Sequence, residues 1–336
     1  MKAPQLSFIV PVYNRPDEVR ELLTSLAEQT DGDFELILVE DGSAVPSKSV
    51  VDEYSNQLNI RYFFKENEGP SIGRNYGIKE AVGDYFLFVD SDCILPPHYV
   101  ETVRSFLISN PEVDAFGGPD RADAKFNTLQ KAISYSMTSF FTTGGIRGAK
   151  KQVDKFYPRS FNLGFSRKVY EQIGGFPDTK LHPGEDMILA IEIIKNGFKT
   201  ALISKAYVFH KRRTSLSQFK RQVFRFGFVR YVISLMYPET FKLFFTIPTV
   251  LTLGFFFAIL MGVAARFEVA FLYLVYFGLV FIDASIKNKS LIVGFAAVMT
   301  TAVQIYGYGT GFLYSVFKSR QMGKEPFLTW AETYRG

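Results

Sequence analysis

Cysteine is nearly absent. A single residue, Cys93, among 336 excludes a disulfide framework and any four-cysteine zinc site, and it fits a reducing compartment. Strong net charge is missing as well. The 38 Lys and Arg against 33 Asp and Glu leave +5, too little to argue for nucleic acid, so where the charge sits matters more. Glycine (26) and proline (15) are ordinary for this length, which sets aside collagen-like and low-complexity chains. There is no G-x-x-x-x-G-K-[ST], and no G-x-G-x-x-G after the first strand, so the P-loop and dinucleotide-binding readings have little support. Met1-Lys2-Ala3-Pro4-Gln5 opens no long apolar stretch. A cleaved signal is therefore not expected, and the first domain is expected to stay where it is made.

What is present divides the chain. With 47% hydrophobic, 16% aromatic and 21% charged residues, disorder is excluded, and the length suits about two domains. Residues 1–240 mix charge with short apolar runs. From Leu243 to Ala265 no charge occurs for 23 positions, Val269–Ile286 carries only Asp283, and Ser290–Phe317 carries none across 28. A hydrocarbon core about 30 Å thick needs roughly 20 apolar residues in a helix. Three membrane segments are expected: Leu243–Ala265, Val269–Ile286 and Leu291–Phe317. The expected organisation is a domain over 1–235 (halves 1–119 and 120–235), a membrane domain over 240–318 and a tail over 319–336.

Between Lys205 and Met236 lie Lys205, Lys211, Arg212, Arg213, Lys220, Arg221, Arg225 and Arg230 with no Asp or Glu. Because this stretch runs into an apolar span, it reads as a cytoplasmic, lipid-facing flank rather than a nucleic-acid arm. The expected location is the cell (inner) membrane, catalytic domain in the cytoplasm. Three spans would leave Lys318, Arg320, Lys324 and Arg335 outside, against the positive-inside rule. One segment is then re-entrant or interfacial, or the tail tolerates the cost. Gly307, Gly309 and Gly311 mark the last segment as the one expected to break.

Leu6–Val12, Phe34–Val39, Ile60–Phe64 and Tyr85–Val89 read as buried strands. Helices are expected over Asp17–Glu28, Val50–Leu58 and Ser71–Ala81. This alternation gives βαβ units and a mostly parallel sheet, in which ligands bind at the carboxyl ends of the strands. Three polar clusters fall there: Pro11–Asn14, Glu40–Ser43 and Asp90–Asp92. Two carboxylates as close as Asp90 and Asp92 repel unless a cation sits between them, and hard oxygen ligands suit Mg²⁺ or Mn²⁺. A solvated Asp-Ser-Asp turn is the alternative. Asp41 can accept a hydrogen bond from a base or ribose, or simply cap the next helix.

Pro11-Val12-Tyr13-Asn14, Val39-Glu40-Asp41-Gly42-Ser43, Asn67-Glu68-Gly69 with Gly73-Arg74-Asn75 and Gly77, and Phe88-Val89-Asp90-Ser91-Asp92 resemble, in order and spacing, family-2 glycosyltransferases. Asn162-Leu163-Gly164-Phe165-Ser166-Arg167, Gly174-Gly175-Phe176 and Gly184-Glu185-Asp186 look like the acceptor half, so the resemblance covers roughly 5–225. It implies an α/β GT-A fold, a nucleotide-diphosphate sugar donor, inversion at the sugar and a divalent metal. By the same resemblance Pro11, Tyr13, Glu40, Asp41, Arg74, Asp90 and Ser91 contact the donor, Glu40 standing where many relatives have Asp. Asp92, Asp90 and His210 hold the metal, Asp186 is the catalytic base, and Glu185 faces the acceptor; His182, just before the Pro183-Gly184-Glu185-Asp186 turn, is a further candidate to touch the acceptor. From the residues alone Asp186 is equally a helix-capping acid, His210 a hydrogen-bonded structural histidine and His182 a polar loop residue.

The expected activity is transfer of one sugar to a lipid-linked or envelope-glycan acceptor. A polyprenyl-phosphate sugar synthase is the alternative enzyme, although an anionic phosphate needs no base like Asp186. Processive synthesis is disfavoured because Arg221-Gln222-Val223-Phe224-Arg225-Phe226 lacks Gln-x-x-Arg-Trp. A nucleotide-binding receptor or transporter would need converging intramembrane polar groups, and Asp283 and Gln304 are a thin set. Selectivity is expected to lie partly in Asp120–Arg159, where Phe140-Phe141 with Gly144-Gly145 reads as a mobile loop or as core and turn.

Overall fold

The computed structural model describes residues 3–123, 126–144, 156–179, 181–263 and 267–334. The chain forms two compact units, the first from 1–123, 148–180 and 185–211, the second from 124–147, 181–184 and 212–336.

The first unit alternates strands and helices: β1 (Leu6–Val12), α1 (Pro16–Ala27), β2 (Phe34–Asp41), α2 (Lys48–Tyr54), β3 (Ile60–Lys65), α3 (Pro70–Glu80), β4 (Tyr85–Val89), β5 (Cys93–Ile94), α4 (Tyr99–Ser109), β6 (Ala115–Gly117) and β7 (Asp120–Arg121). After α5 (Thr128–Thr138) and α6 (Phe140–Thr143), which belong to the second unit, it resumes with β8 (Asn162–Ser166), α7 (Arg167–Ile173), α8 (Glu185–Lys195), β9 (Thr200–Leu202) and β10 (Val208–His210). The main sheet runs β3-β2-β1-β4-β8-β6-β9. The pairs β1–β2, β2–β3, β1–β4 and β6–β9 are parallel, and β8 runs against both neighbours. A second sheet, β5-β10-β7, sets His210 opposite Cys93.

Side chains alternate across a strand, and β1 shows the consequence. Leu6, Phe8, Val10 and Val12 enter one core layer with Leu22, Leu36 and Val103, while Ile9 enters the other with Ile37, Val39, Phe86 and Phe88. Both faces are covered, so these strands are continuous apolar runs rather than alternating ones. On the second face α3 lies directly on the sheet. A Cβ at Gly77 would stand 2.5 Å from Ile9 Cγ2, so only glycine lets the helix approach this closely. β2 extends past the expected Val39 because its ladder with β3 continues to the Asp41–Lys65 pair.

The second unit is helical. α9 (Leu216–Met236), α10 (Ile247–Val263), α11 (Glu268–Asn288), α12 (Leu291–Met322) and α13 (Lys324–Thr333) follow α5 and α6, with 3₁₀ turns at Pro238–Thr240 and Leu243–Thr246. Three stretches, Leu243–Gly262, Glu268–Asn288 and Leu291–Met322, are long and apolar enough to cross a membrane. They expose Leu260, Phe271, Leu274, Ile286, Ile292 and Phe295, a surface suited to lipid rather than water.

The expected break at Gly307, Gly309 and Gly311 does not occur; α12 runs unbroken through them. These glycines are close-approach points instead. A Cβ on Gly311 would collide with the Phe224 carbonyl oxygen of α9, one on Gly307 would stand 2.5 Å from Val223 Cγ2, and one on Gly309 2.8 Å from the Pro248 carbonyl oxygen of α10. Gly227 of α9 meets the Tyr308 carbonyl in return. Small residues that let backbones touch are a recurrent means of packing apolar helices.

Polar groups complete the packing. α5 is opened by a reciprocal Asn127–Gln130 capping box and reaches α11 and α12 through Tyr135 Oη to Asp283 Oδ2 (2.6 Å) and Ser136 Oγ with Thr300 Oγ1 (2.6 Å). Within the expected loop region, Phe140–Thr143 is a short helix ended by left-handed Gly144; Gly145 lies outside the described residues.

Candidate active site

β1, β2 and β4 are adjacent and parallel, so their carboxyl ends bring Pro11–Arg15, Glu40–Ser43 and Asp90–Asp92 to one rim. β10 delivers His210 beside the last of these through its pairing with β5.

Asp92 is the centre of the rim. Its Oδ1 lies 3.1 Å from His210 Nε2, and its Oδ2 accepts from Arg15 Nη1 at 2.5 Å. Asp90 Oδ2 stands 4.0 Å from the same His210 nitrogen. Burial by itself would push the Asp92 carboxyl up, but His210 and Arg15 more than reverse this and hold it below the usual carboxylate range. The His210 ring is fixed by stacking on Phe161, centroids 5.1 Å apart.

Arg74 joins the two halves of the first unit. It is almost fully buried, donating from Nη2 to Asp90 Oδ1 (2.9 Å) and from Nη1 to Glu185 Oε1 (3.2 Å), with its guanidinium 5.0 Å from the Phe176 ring. Gly73 faces Pro11 and Val39, so the close seat of α3 carries Arg74 to the strand ends. A buried guanidinium between two carboxylates is stable only as a set.

The β2 acids are engaged elsewhere. Glu40 is fully buried, its oxygens accepting from Ser43 Oγ, from Ser47 N (2.8 Å) and from Tyr62 Oη (3.3 Å). Asp41 accepts from Lys65 Nζ (2.8 Å), Glu68 N (3.0 Å) and Gly69 N (2.8 Å), which fastens the segment before α3 to the rim. Asn14, at φ 54°, donates its N–H to Ser43 Oγ (2.7 Å) and accepts from Val45 N (3.1 Å) on Oδ1. Tyr13 is half exposed, and Ser91 is buried between the two rim acids in sequence.

Asp186, in the first turn of α8, accepts from Met187 N (2.7 Å) and Ser160 N (3.4 Å) and pairs with Arg159 Nη1 (3.6 Å). Residues 159–162 thus run from Asp186 to Phe161 beneath His210, and Asn162 of the same segment accepts from Tyr99 Oη (2.6 Å). His182 belongs to the second unit. Sequence reasoning missed Arg15, Arg159 and Phe161. Arg15 had a local signal, a base directly after Tyr13-Asn14; the other two act through contacts distant in sequence.

The fit to a divalent cation is decided by the donor set. Asp92, Cys93 and His210 present ligand atoms within 4.8 Å of one another. Burial, with Asp92 and Asp90 nearby, pushes the Cys93 thiol well above its usual range, so it is not a thiolate ligand. The remaining carboxylate of Asp92 and the His210 imidazole, with the Asp90 carboxylate 4.0 Å from the same imidazole nitrogen, supply oxygen and nitrogen donors, and the hard oxygens are the kind that Mg²⁺ and Mn²⁺ take. The residues fit such an ion.

Residues 7–174 match the profile described as Glycosyl transferase family 2. A Haemophilus influenzae protein described as an uncharacterized glycosyltransferase is 37% identical over 217 residues, covering 63% of this chain and 71% of that one. The chain belongs to glycosyl transferase family 2. A Rickettsia felis uncharacterized glycosyltransferase is 32% identical over 189 residues; that match takes in 56% of this chain and 30% of the relative's length. Among solved structures, the mannosyltransferase PcManGT from Pyrobaculum calidifontis, in complex with GDP-Man and Mn²⁺, covers 99% of this chain and 80% of its own at 15% identity and TM-score 0.52. S. aureus TarS 1–349 in complex with UDP covers 95% of this chain and 92% of its own at 20% identity and TM-score 0.50. At these identities the likeness is one of fold, and the fold is GT-A.

Proposed function

We propose that the protein is a membrane-associated inverting glycosyltransferase that moves a sugar from a nucleotide-diphosphate donor to a lipid-linked or envelope-glycan acceptor. The observation that carries this reading is the rim itself. Asp90, Asp92 and His210 converge at the strand ends, and Arg74 ties that cluster to the first turn of α8, where Asp186 lies. The GDP-Man, Mn²⁺ and UDP held by the fold neighbours support the same donor class and cation.

In this reading Pro11 and Tyr13 line the base, and Arg74 and Asp90 position the ribose and diphosphate. Glu40 and Asp41 act one step back, shaping the loops that form the pocket. Asp92, Asp90 and His210 hold Mg²⁺ or Mn²⁺, which when bound offsets the charge of the diphosphate. Asp186 accepts the proton of the acceptor hydroxyl as its oxygen bonds to the anomeric carbon. The bond from that carbon to the diphosphate oxygen breaks, and its electron pair leaves with the nucleoside diphosphate. The Met187 and Ser160 amides fix the position of the Asp186 carboxylate, and a general base must be held within reach of the proton it takes.

The apolar helices α10–α12 would associate the protein with the membrane that holds a lipid-linked acceptor, with the basic stretch Lys205–Arg230 on the cytoplasmic side of the inner membrane. The transporter alternative is weakened because Asp283, the charged group of α11's apolar run, is engaged by Tyr135 and Lys287 (2.9 Å).

The test is thermal stabilisation of the full chain in detergent by a panel of nucleotide sugars with Mn²⁺. A cognate donor at 100 times its dissociation constant adds about 2.7 kcal/mol. Product analysis with extracted lipid acceptors then separates an extended glycan from a sugar-phospholipid. No stabilisation by any nucleotide sugar would overturn the reading.

A further inference from the structure

We propose that Arg15 is a diphosphate-binding residue that trades its partner. It competes with the divalent cation for Asp92 and is released to the donor's diphosphate when that cation binds. The proposal rests on the reading of Asp92 and His210 as cation ligands.

The geometry gives Asp92 two partners on separate oxygens, His210 on Oδ1 and Arg15 on Oδ2. A divalent ion held by that carboxylate would share it with the guanidinium, and like charges that close in a partly screened site repel strongly. One of the two must give way. The Asp92 side chain is 13% exposed and held from both sides, whereas Arg15 is 35% exposed, so the guanidinium is the mobile partner.

Its backbone, by contrast, is anchored. Asn14 is clamped to the β2 loop through Ser43 and Val45, and α1 begins at Pro16 directly after. Arg15 can therefore swing its side chain without leaving the rim. The acceptor it would find there is chemically defined. A guanidinium fork matches phosphate oxygens two at a time, and the diphosphate is the group the cation brings to this place. Arg15 thereby makes cation and diphosphate binding depend on each other: it opposes the cation alone and favours the cation with its anion.

The experiment measures Mn²⁺ affinity of the full-length protein in detergent by the electron paramagnetic resonance signal of free Mn²⁺, with and without saturating UDP or GDP, whichever stabilises the wild type more. For Arg15→Ala, Mn²⁺ alone should bind about tenfold tighter than in wild type, and the gain on adding nucleotide should shrink by about tenfold, within the range of ordinary coupling between sites. Arg15→Lys keeps the charge without the fork. It should bind Mn²⁺ alone as weakly as wild type yet lose most of the nucleotide-dependent gain.

Unchanged or weaker binding of Mn²⁺ alone in Arg15→Ala would overturn the proposal, since a merely structural arginine would only disturb Asp92. Asp92→Asn separates the two failures. If Mn²⁺ affinity is unaffected by Asp92→Asn, the cation site is misplaced; if it is lost there yet indifferent to Arg15, only the present proposal falls. Melting curves for each variant identify misfolding, and Arg15→Lys carries the test if Arg15→Ala does not fold.

Discussion

The two units solve the same problem, burying polar groups, with opposite materials. The first buries full charges in sets: Arg74 with Asp90 and Glu185, Glu35 with Ser7 and Arg61, and Asp92 with Arg15 and His210. The second has few charges along its apolar helices, which meet through glycine contacts and hydroxyl pairs such as Ser136 with Thr300. The difference follows from surroundings. A sheet rim ends backbone ladders, and there charged side chains from adjacent strands meet and partner one another. Helices exposing Phe271, Leu274 and Phe295 are long and apolar enough to cross a membrane, where a stray charge would find no water to share it.

The contrast can be broken first at Arg74. Arg74→Met leaves Glu185 and Asp90 without their shared cation, and removing one member of a buried set typically costs about 3–5 kcal/mol. Chemical denaturation should show the first unit destabilised by that amount, with donor binding lost as well; a change within experimental error would refute the buried-set description.

In the second unit the corresponding blow is steric. Gly311→Leu forces α9 and α12 apart where a Cβ already meets the Phe224 carbonyl, and overpacking of this kind costs about 1–3 kcal/mol. The detergent melting temperature should fall while nucleotide affinity of the first unit holds. Gly→Leu tolerated without a fall would argue that the helices do not touch at this point.

Glu35 sharpens the comparison through pH. Burial favours its neutral form, but hydrogen bonds from Ser7, Val82 and Arg61, with the Arg61 charge, hold its carboxyl below the usual range. A depressed folded value adds stability that is present above the unfolded carboxylate value of about 4.3 and is lost as pH falls through the folded value. Glu35→Gln should therefore cost about 1–2 kcal/mol at pH 7, with the gap to wild type narrowing below about pH 4. A gap constant across that range would reject an ionised Glu35.

Much of the first unit was legible because its strands announce themselves. Leu6–Val12 and Tyr85–Val89 are apolar on both faces and end in polar residues, so their span and the rim could be read together. What was not legible depends on partners far along the chain. Nothing local tells that Asp41 turns to Lys65, Glu68 and Gly69, that β8 runs against its neighbours, or that Phe161 supports His210. Gly307, Gly309 and Gly311 misled in the other direction. Glycine lowers helix propensity, which predicts a break, yet close packing by α9 and α10 needs the missing side chains more than the helix needs better formers.

The proposed transfer depends on the acid at the head of α8. The decisive measurement is sugar transfer by Asp186→Asn, with donor affinity determined in parallel on the same sample. A general base contributes typically 10²–10⁴-fold, so turnover should fall by about 10³-fold while donor affinity stays within about twofold. Turnover equal to wild type would contradict the assignment of Asp186.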